Sequence, residues 1–394
     1  EASSSAPAPV STSDRVHALD VLRGWAVGGM LIVNFGYFSQ QALAPRPGAD
    51  TLGAPLVQFL ADGKFWTLFS VLFGLGFALQ LERAAARDAP FAPVYLRRLL
   101  LLLLIGVTHA LLHPLEILHR YALLGVLLLP LRRASTRVLV VVGLLGLVAP
   151  PVLQGLVAPE ATAPTATQQA VSARVYSDAS LPELLRYNFD RFRREAVDVR
   201  VLAPFPYFVL GFYLGRRRVL EALAGHGARL ARARWWLLGP GLGLQAAIVG
   251  TMLGASSMVP VAGRPLIPTL LDVGNALVGL FYACVILLLL QHTRWQRRLD
   301  GLAAVGRMAL TNYLFQTVVV TTLLYGYGGA LYGQLGIVSG LPVVCAIFTL
   351  QVALSRWWTA RFRFGPVEWL WRSAAYGRLQ PLRVAGYRPG APAG

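Results

Sequence analysis

The feature that most constrains this chain is the alternation of apolar runs of about 20 residues with short arginine clusters. Runs of that length are too long for strands, and wound as helices they match the hydrocarbon thickness of a bilayer. Composition agrees: 56% of the 394 residues are hydrophobic and 14% charged, against about 25% charged in an ordinary soluble domain. The pattern predicts an all-α, polytopic membrane helix bundle. Ten spans are expected, near 18–38, 56–82, 94–113, 116–131, 137–157, 201–216, 235–256, 268–291, 303–326 and 337–359.

The charge distribution sets the expected topology. The net charge is +18, and Lys64 is the single lysine among 36 basic residues. Arg97 and Arg98, Arg132 and Arg133, Arg216 to Arg218, and Arg297 and Arg298 all fall between apolar runs. They occupy alternate short connections, the pattern of positive-inside loops, so both termini are expected in the cytoplasm of a bacterial inner-membrane protein. A nucleic-acid partner is excluded, because it calls for a basic face in polar context.

The chain divides by composition into a Ser/Ala/Pro tail (1–14), an N-terminal bundle (15–157), an extracytoplasmic loop (158–200), a C-terminal bundle (201–383) and a second tail (384–394). Both tails read as disordered. Within the long loop, LPELLRYNFDRFRREAVDV reads as an amphipathic helix that lies on the membrane or lids a cavity. QALA at 41–44 resembles a signal-peptide cleavage site, but Asp20, Arg23 and Asn34 interrupt the run before it, which favours a retained helix. Cys284 and Cys345 lie in separate apolar runs and read as packing residues.

Ionisable groups inside a span are expensive, so each is a functional candidate. One layer near the expected outer surface collects Asn34, Lys64, His109, Glu116, Asp272 and Asn275 from five spans. His109 suits general-base or nucleophilic work, because an imidazole titrates near neutral pH. Glu116 can orient that imidazole, with Lys64 and Asn34 assisting. The competing reading is polar glue between helices. His113 and His119, beside Pro114, read as interfacial. A metal site at His109, His113 and Glu116 is disfavoured, because Pro114 should end the helix that gives the i, i+4 spacing. The inner layer holds Asp20, Arg23, Arg307, Asn312, Glu368 and Arg372; its arginines suit a phosphorylated cytosolic ligand or headgroup anchoring. Trp357, Trp358, Trp369 and Trp371 read as an aromatic belt. Gly24, Gly28, Gly74 and Gly76 read as close helix contacts. No GxxxxGK[ST] motif is present.

In order along the chain, LDVLRGWAVGGMLIVN, KFWTLFSVLFGLGF, GVTHALLHPLEILHRYALLG, GRMALTNYLFQT and FGPVEWLWR resemble the YeiB family of bacterial inner-membrane proteins over about residues 15–383. By fold that family is similar to a wider superfamily of transmembrane acyltransferases, which includes heparan-alpha-glucosaminide N-acetyltransferase. The resemblance implies acyl transfer from cytosolic acyl-CoA to an acceptor on the far side. It carries over Asp20, Arg23, Asn34, Lys64, His109, Tyr121, Arg307, Asn312, Tyr313 and Gln316 as the polar positions. Where the family has GDIL, this chain has PLEIL, so Glu116 stands for an aspartate one methylene shorter.

The leading expectation is an acyltransferase in which His109, Glu116, Lys64 and Asn34 are catalytic. Arg23, Asp20, Tyr121, Arg307, Asn312, Tyr313, Gln316, Asp272 and Asn275 then bind donor or acceptor. Acyl-CoA is the co-substrate, with no tightly bound cofactor or metal. The partners are the lipid bilayer and an extracytoplasmic hydroxyl or amine acceptor; a homodimer stays open. A transporter of a small, anionic solute is the rival, weakened by the lack of a visible inverted repeat or paired broken helices. A non-catalytic scaffold or lipid-binding protein is the third reading.

Overall fold

The computed structural model describes residues 12–40, 49–114, 116–157, 165–195, 199–219, 227–253 and 266–383. Most of the two expected tails and the QALA stretch lie outside them. Along the chain run α1 (Thr12–Gln40), α2 (Ala49–Ala61), α3 (Lys64–Ala85), α4 (Phe91–Ala110), α5 (Leu118–Val126), α6 (Leu128–Leu131), α7 (Thr136–Val157) and α8 (Ala166–Asp178). There follow α9 (Leu181–Glu195), α10 (Phe205–Arg216), α11 (Gly227–Leu253), α12 (Ile267–Leu289), α13 (Thr293–Arg307), α14 (Ala309–Leu324), α15 (Leu341–Thr359) and α16 (Pro366–Tyr376). The described residues form no named strand, only an isolated bridge between Phe362 and Arg383.

Among the described residues, six helical stretches are long and apolar enough to cross a membrane: 17–39, 53–85, 91–110, 136–153, 267–289 and 341–359. The other four expected spans differ for local reasons. Residues 116–131 are split between α5 and α6, α10 has 12 residues, and the expected 303–326 span breaks at Met308 into α13 and α14. α11 begins at Gly227, ahead of the expected 235–256 span, and carries Pro240 within that span. The outward-facing side chains are apolar where water would not tolerate it: on α7, Leu144 is 59% and Leu145 61% exposed. Lipid is the solvent that suits such a face.

Glycine brings the helix backbones together. A Cβ on Gly24 would sit 1.9 Å from the Leu302 carbonyl oxygen, and one on Gly306 1.8 Å from that of Asp20. Gly74 and Gly211 make the same reciprocal contact between α3 and α10, each 1.9 Å from a carbonyl oxygen of the other helix. Only residues without a Cβ permit such an approach. Gly28 faces the Phe348 ring, whereas Gly76 has only Arg23 near it, at 4.0 Å.

Two features position the site. The 53–85 stretch is broken at Asp62–Gly63, where Gly63 takes φ 78°, left-handed backbone that suits glycine. The amphipathic segment in the long loop folds as α9 and packs inward, with Leu184 and Asn188 fully buried. Asn188 donates to the carbonyls of Leu111 and Leu112 at 2.9 and 3.3 Å, so α9 covers the α4–α5 hairpin. The tryptophans of the expected aromatic belt also make specific bonds. Trp358, Trp369 and Trp371 donate their indole N–H groups to the carbonyls of Phe364, Gln380 and Arg98. They pin α16 and the C-terminal segment, and Trp357 alone is half exposed.

Candidate functional site

Glu116 is the centre of the α4–α5 hairpin and is fully buried. It accepts the backbone N–H of Leu118, and the N–H of His119 at 3.0 Å, so it caps the start of α5. The His119 ring nitrogen Nδ1 lies 3.1 Å from the same carboxylate, and His109 Nδ1 lies 3.6 Å from its other oxygen. Gly106 makes room for this: a Cβ there would stand 2.6 Å from the His119 nitrogen and 2.9 Å from Glu116 Oε2. On its far side His109 Nε2 meets Thr317 Oγ1 at 2.8 Å. Carboxylate, imidazole and hydroxyl thus lie in a row, the order of groups in hydrolase-type triads.

Two cavities approach this row. The first, of about 280 Å³, is lined by Arg23, Arg98, Arg307 and Arg372, together with Gln80, Glu368 and an apolar wall that includes Leu72 and Leu102. The second, of about 330 Å³, is lined by Asn34, Tyr37, Asp62, His113, Arg120 and Asp272. Met30, Trp66, Ile117 and Tyr313 line both cavities and form the wall between them. The Tyr313 ring packs 5.0 Å from that of His109. His109 and Glu116 therefore stand directly behind the shared wall and line neither cavity.

The sequence candidates divide accordingly. Asn34, Asp272, Arg23, Arg307, Tyr121 and Tyr313 line a cavity. Lys64 does not: it lies close to Asp62, the first of the two acidic partners open to it from the sequence, and its Nζ sits 5.5 Å from the Phe59 ring centroid. Asn275 packs against Gly63 and supports the break in the span. Asp20 holds Arg23 at 3.1 Å. Asn312 donates to the Val305 carbonyl and to Ser355, while Gln316 donates to the Val27 carbonyl and to Gln351, so both tie helices together. Tyr121 donates to the Trp66 carbonyl at 2.9 Å and so fixes the wall. His113 and His119 are not interfacial: they are 2% and 3% exposed, packed against Phe38 and Phe192.

Glu368 repeats the capping device at the arginine-lined end. It accepts the N–H groups of Leu310 and Thr311 at 2.7 and 3.0 Å at the start of α14. Burial pushes its carboxyl above the usual range, and the Thr311 and Leu310 donors oppose that shift. Sequence reasoning missed Thr317, which ends the GRMALTNYLFQT motif, and treated Arg98 only as a topology marker although it lies inside α4. It also passed over Trp66 and Tyr37, where no charge marks the position.

Residues 15–221 match the family model described as heparan-alpha-glucosaminide N-acetyltransferase, catalytic, and residues 214–378 match that of a protein of unknown function, DUF418. The chain is 33% identical to the uncharacterized protein YxaH of Bacillus subtilis, over 95% of this chain and 97% of that one. It is 29% identical to the uncharacterized protein YeiB of Escherichia coli, over 95% and 98%. It belongs to the YeiB family. An uncharacterized 39.9 kDa protein from Bacillus acidopullulyticus is 28% identical over 95% of this chain and 97% of its own length. No solved structure matches. In this YeiB-family chain the first matched region, of a membrane acyltransferase-like family, supplies His109 and Glu116. The second supplies Thr317, Tyr313, Arg307 and Glu368, so the site is assembled from both.

Proposed function

We propose that this YeiB-family protein is a bacterial inner-membrane acyltransferase with ten spans and both termini in the cytoplasm. It moves an acyl group from cytosolic acyl-CoA to an extracytoplasmic hydroxyl or amine. The observation that carries the reading is the pair of cavities that share a wall one side chain thick, one of them lined by four arginines. Arginine forks suit the phosphates of a CoA donor, and the apolar wall beyond them suits its pantetheine arm and acyl chain. The thioester carbonyl then reaches the wall at Tyr313, and the acceptor meets it from the second cavity.

The acceptor O–H or N–H attacks the thioester carbon. Its proton crosses the wall at Tyr313 to the Thr317–His109 pair behind it, where Nε2 takes it up, while Glu116 holds the imidazole from Nδ1 and stabilises its charged form. The tetrahedral intermediate collapses with loss of the CoA thiolate, which takes the proton back from His109. The test uses purified protein and radiolabelled acetyl-CoA. Wild type binds and turns over the donor, and His109→Ala loses about 10²- to 10⁴-fold in turnover with donor binding intact. Absence of any acyl-CoA binding or turnover would falsify the reading.

A second reading, transport of a small solute through the same two cavities, is favoured by the break at Asp62–Gly63 inside a membrane span. Helix breaks line substrate sites in transporters. Uptake into proteoliposomes, abolished by an ionophore and independent of acyl-CoA, would establish it.

A further inference from the structure

The second cavity is built around a carboxylate pair that the acyl-transfer reading leaves unused. Asp62 sits at the break between α2 and α3, and Asp272 sits on α12; both line the cavity and lie within electrostatic reach of each other. Their surroundings differ. The Tyr37 hydroxyl donates to both oxygens of Asp62, at 3.4 and 3.3 Å, and Lys64 lies close behind it. Among the described residues, no hydrogen bond or ion pair is seen at Asp272, while Arg120 lines the same cavity with a partner of its own. A carboxylate inside a membrane span without a partner is among the costlier arrangements a bundle can hold.

A second observation in the same cavity points to a missing partner. His113 lines it, is 2% exposed, and has no hydrogen-bond partner at Nδ1. Buried ring nitrogens are normally satisfied. Trp66, Phe65 and Tyr37 add aromatic surface to the same walls, and aromatic faces attract cations where water is excluded.

We infer that this cavity binds a protonated amine, seated between Asp62 and Asp272, with the rest of the molecule against the aromatic wall and a polar group of its own presented to His113. The inference rests on the acceptor side of the proposed reaction and deepens it: the ammonium anchors an amino alcohol, and its hydroxyl, not the protonated nitrogen, is the group that attacks. Its test needs no donor, so it stands or falls apart from acyl transfer.

The experiment compares 4-aminobutan-1-ol with butane-1,4-diol, which match in length and differ in carrying an ammonium or a hydroxyl. Binding to the purified full-length protein in nanodiscs is followed by tryptophan fluorescence and calorimetry at neutral pH, without acyl-CoA. The amino alcohol is expected to bind at least about tenfold more tightly than the diol, the order of one charge-assisted contact. Asp272→Asn is expected to erase that preference while the protein stays monodisperse. Equal binding of the two probes by wild type overturns the inference, whether or not the variant folds. So does a folded Asp272→Asn protein that keeps the preference. Failure of acyl transfer with the amine preference intact would remove the proposed reaction and leave this site standing.

Discussion

Glu116 and Glu368 are the same device used in two settings. Each carboxylate accepts two successive backbone N–H groups at the start of a helix, Leu118 and His119 in one case, Leu310 and Thr311 in the other. Each is faced by a glycine, Gly106 or Gly365, whose Cβ would collide with it. The difference lies in what else the carboxylate touches. Glu116 holds two imidazoles, whereas Glu368 holds only the Thr311 hydroxyl and fronts the arginine-lined cavity. Capping is thus the common structural role, and the imidazole row is the part specific to one end.

The largest effects should come from truncating the carboxylates. Glu116→Ala and Glu368→Ala each leave two buried donors without an acceptor, at about 1–3 kcal/mol per donor. Both should lower the thermal midpoint of the purified protein and its monodisperse fraction. The folded remainder separates them: Glu368→Ala should keep the wild-type kcat, and Glu116→Ala should lose it. Equal loss of kcat in both would break the distinction.

Smaller effects are expected from the facing glycines. Gly106→Ala places a methyl 2.6 Å from the His119 nitrogen, and Gly365→Ala places one 2.2 Å from Glu368 Oε2. Overpacking of this kind costs about 1–3 kcal/mol. Gly106→Ala should also slow turnover, by shifting the hairpin that carries His109. A variant that melts lower yet turns over normally would show that the row tolerates displacement.

The smallest effect is a pH dependence. The folded Glu368 carboxyl is raised by burial. Its contribution to stability is therefore fully present below the unfolded value, about 4.3, and is lost as pH rises through the folded one. The wild-type midpoint should gain on mild acidification relative to Glu368→Gln. Parallel pH profiles for the two proteins would remove Glu368 as the source.

Membrane character and helicity were legible because apolar run length reports directly on bilayer thickness. The polar layer was legible because charge inside a span is rare. His109 beside Glu116 followed from that rule, since proximity in a hairpin is local in sequence. The row's third member, Thr317, is separated from His109 by 208 residues, and a threonine in an apolar helix carries no mark of its own. The choice between Asp62 and Glu116 as the partner of Lys64 was not legible, for a related reason. Depth along a span is readable from sequence, but the side of the helix that faces the cavity depends on the break at Asp62–Gly63. Arg97 and Arg98 read as a loop cluster, which hides Arg98 inside α4 and its stacking on the Trp371 ring at 4.5 Å.

The wall of Met30, Trp66, Ile117 and Tyr313 has an electrical consequence. Where water-filled cavities enter a bundle from both sides, the membrane voltage falls mainly across whatever thin layer remains between them. A charge that crosses such a layer gains or loses about 2.3 kcal/mol per 100 mV. With the cavities opening to opposite faces, as the proposed topology has it, these four side chains would be an insulator as well as a partition. A proton relayed past Tyr313 would couple turnover to the potential, and an imposed potassium-diffusion voltage in proteoliposomes reads that coupling directly.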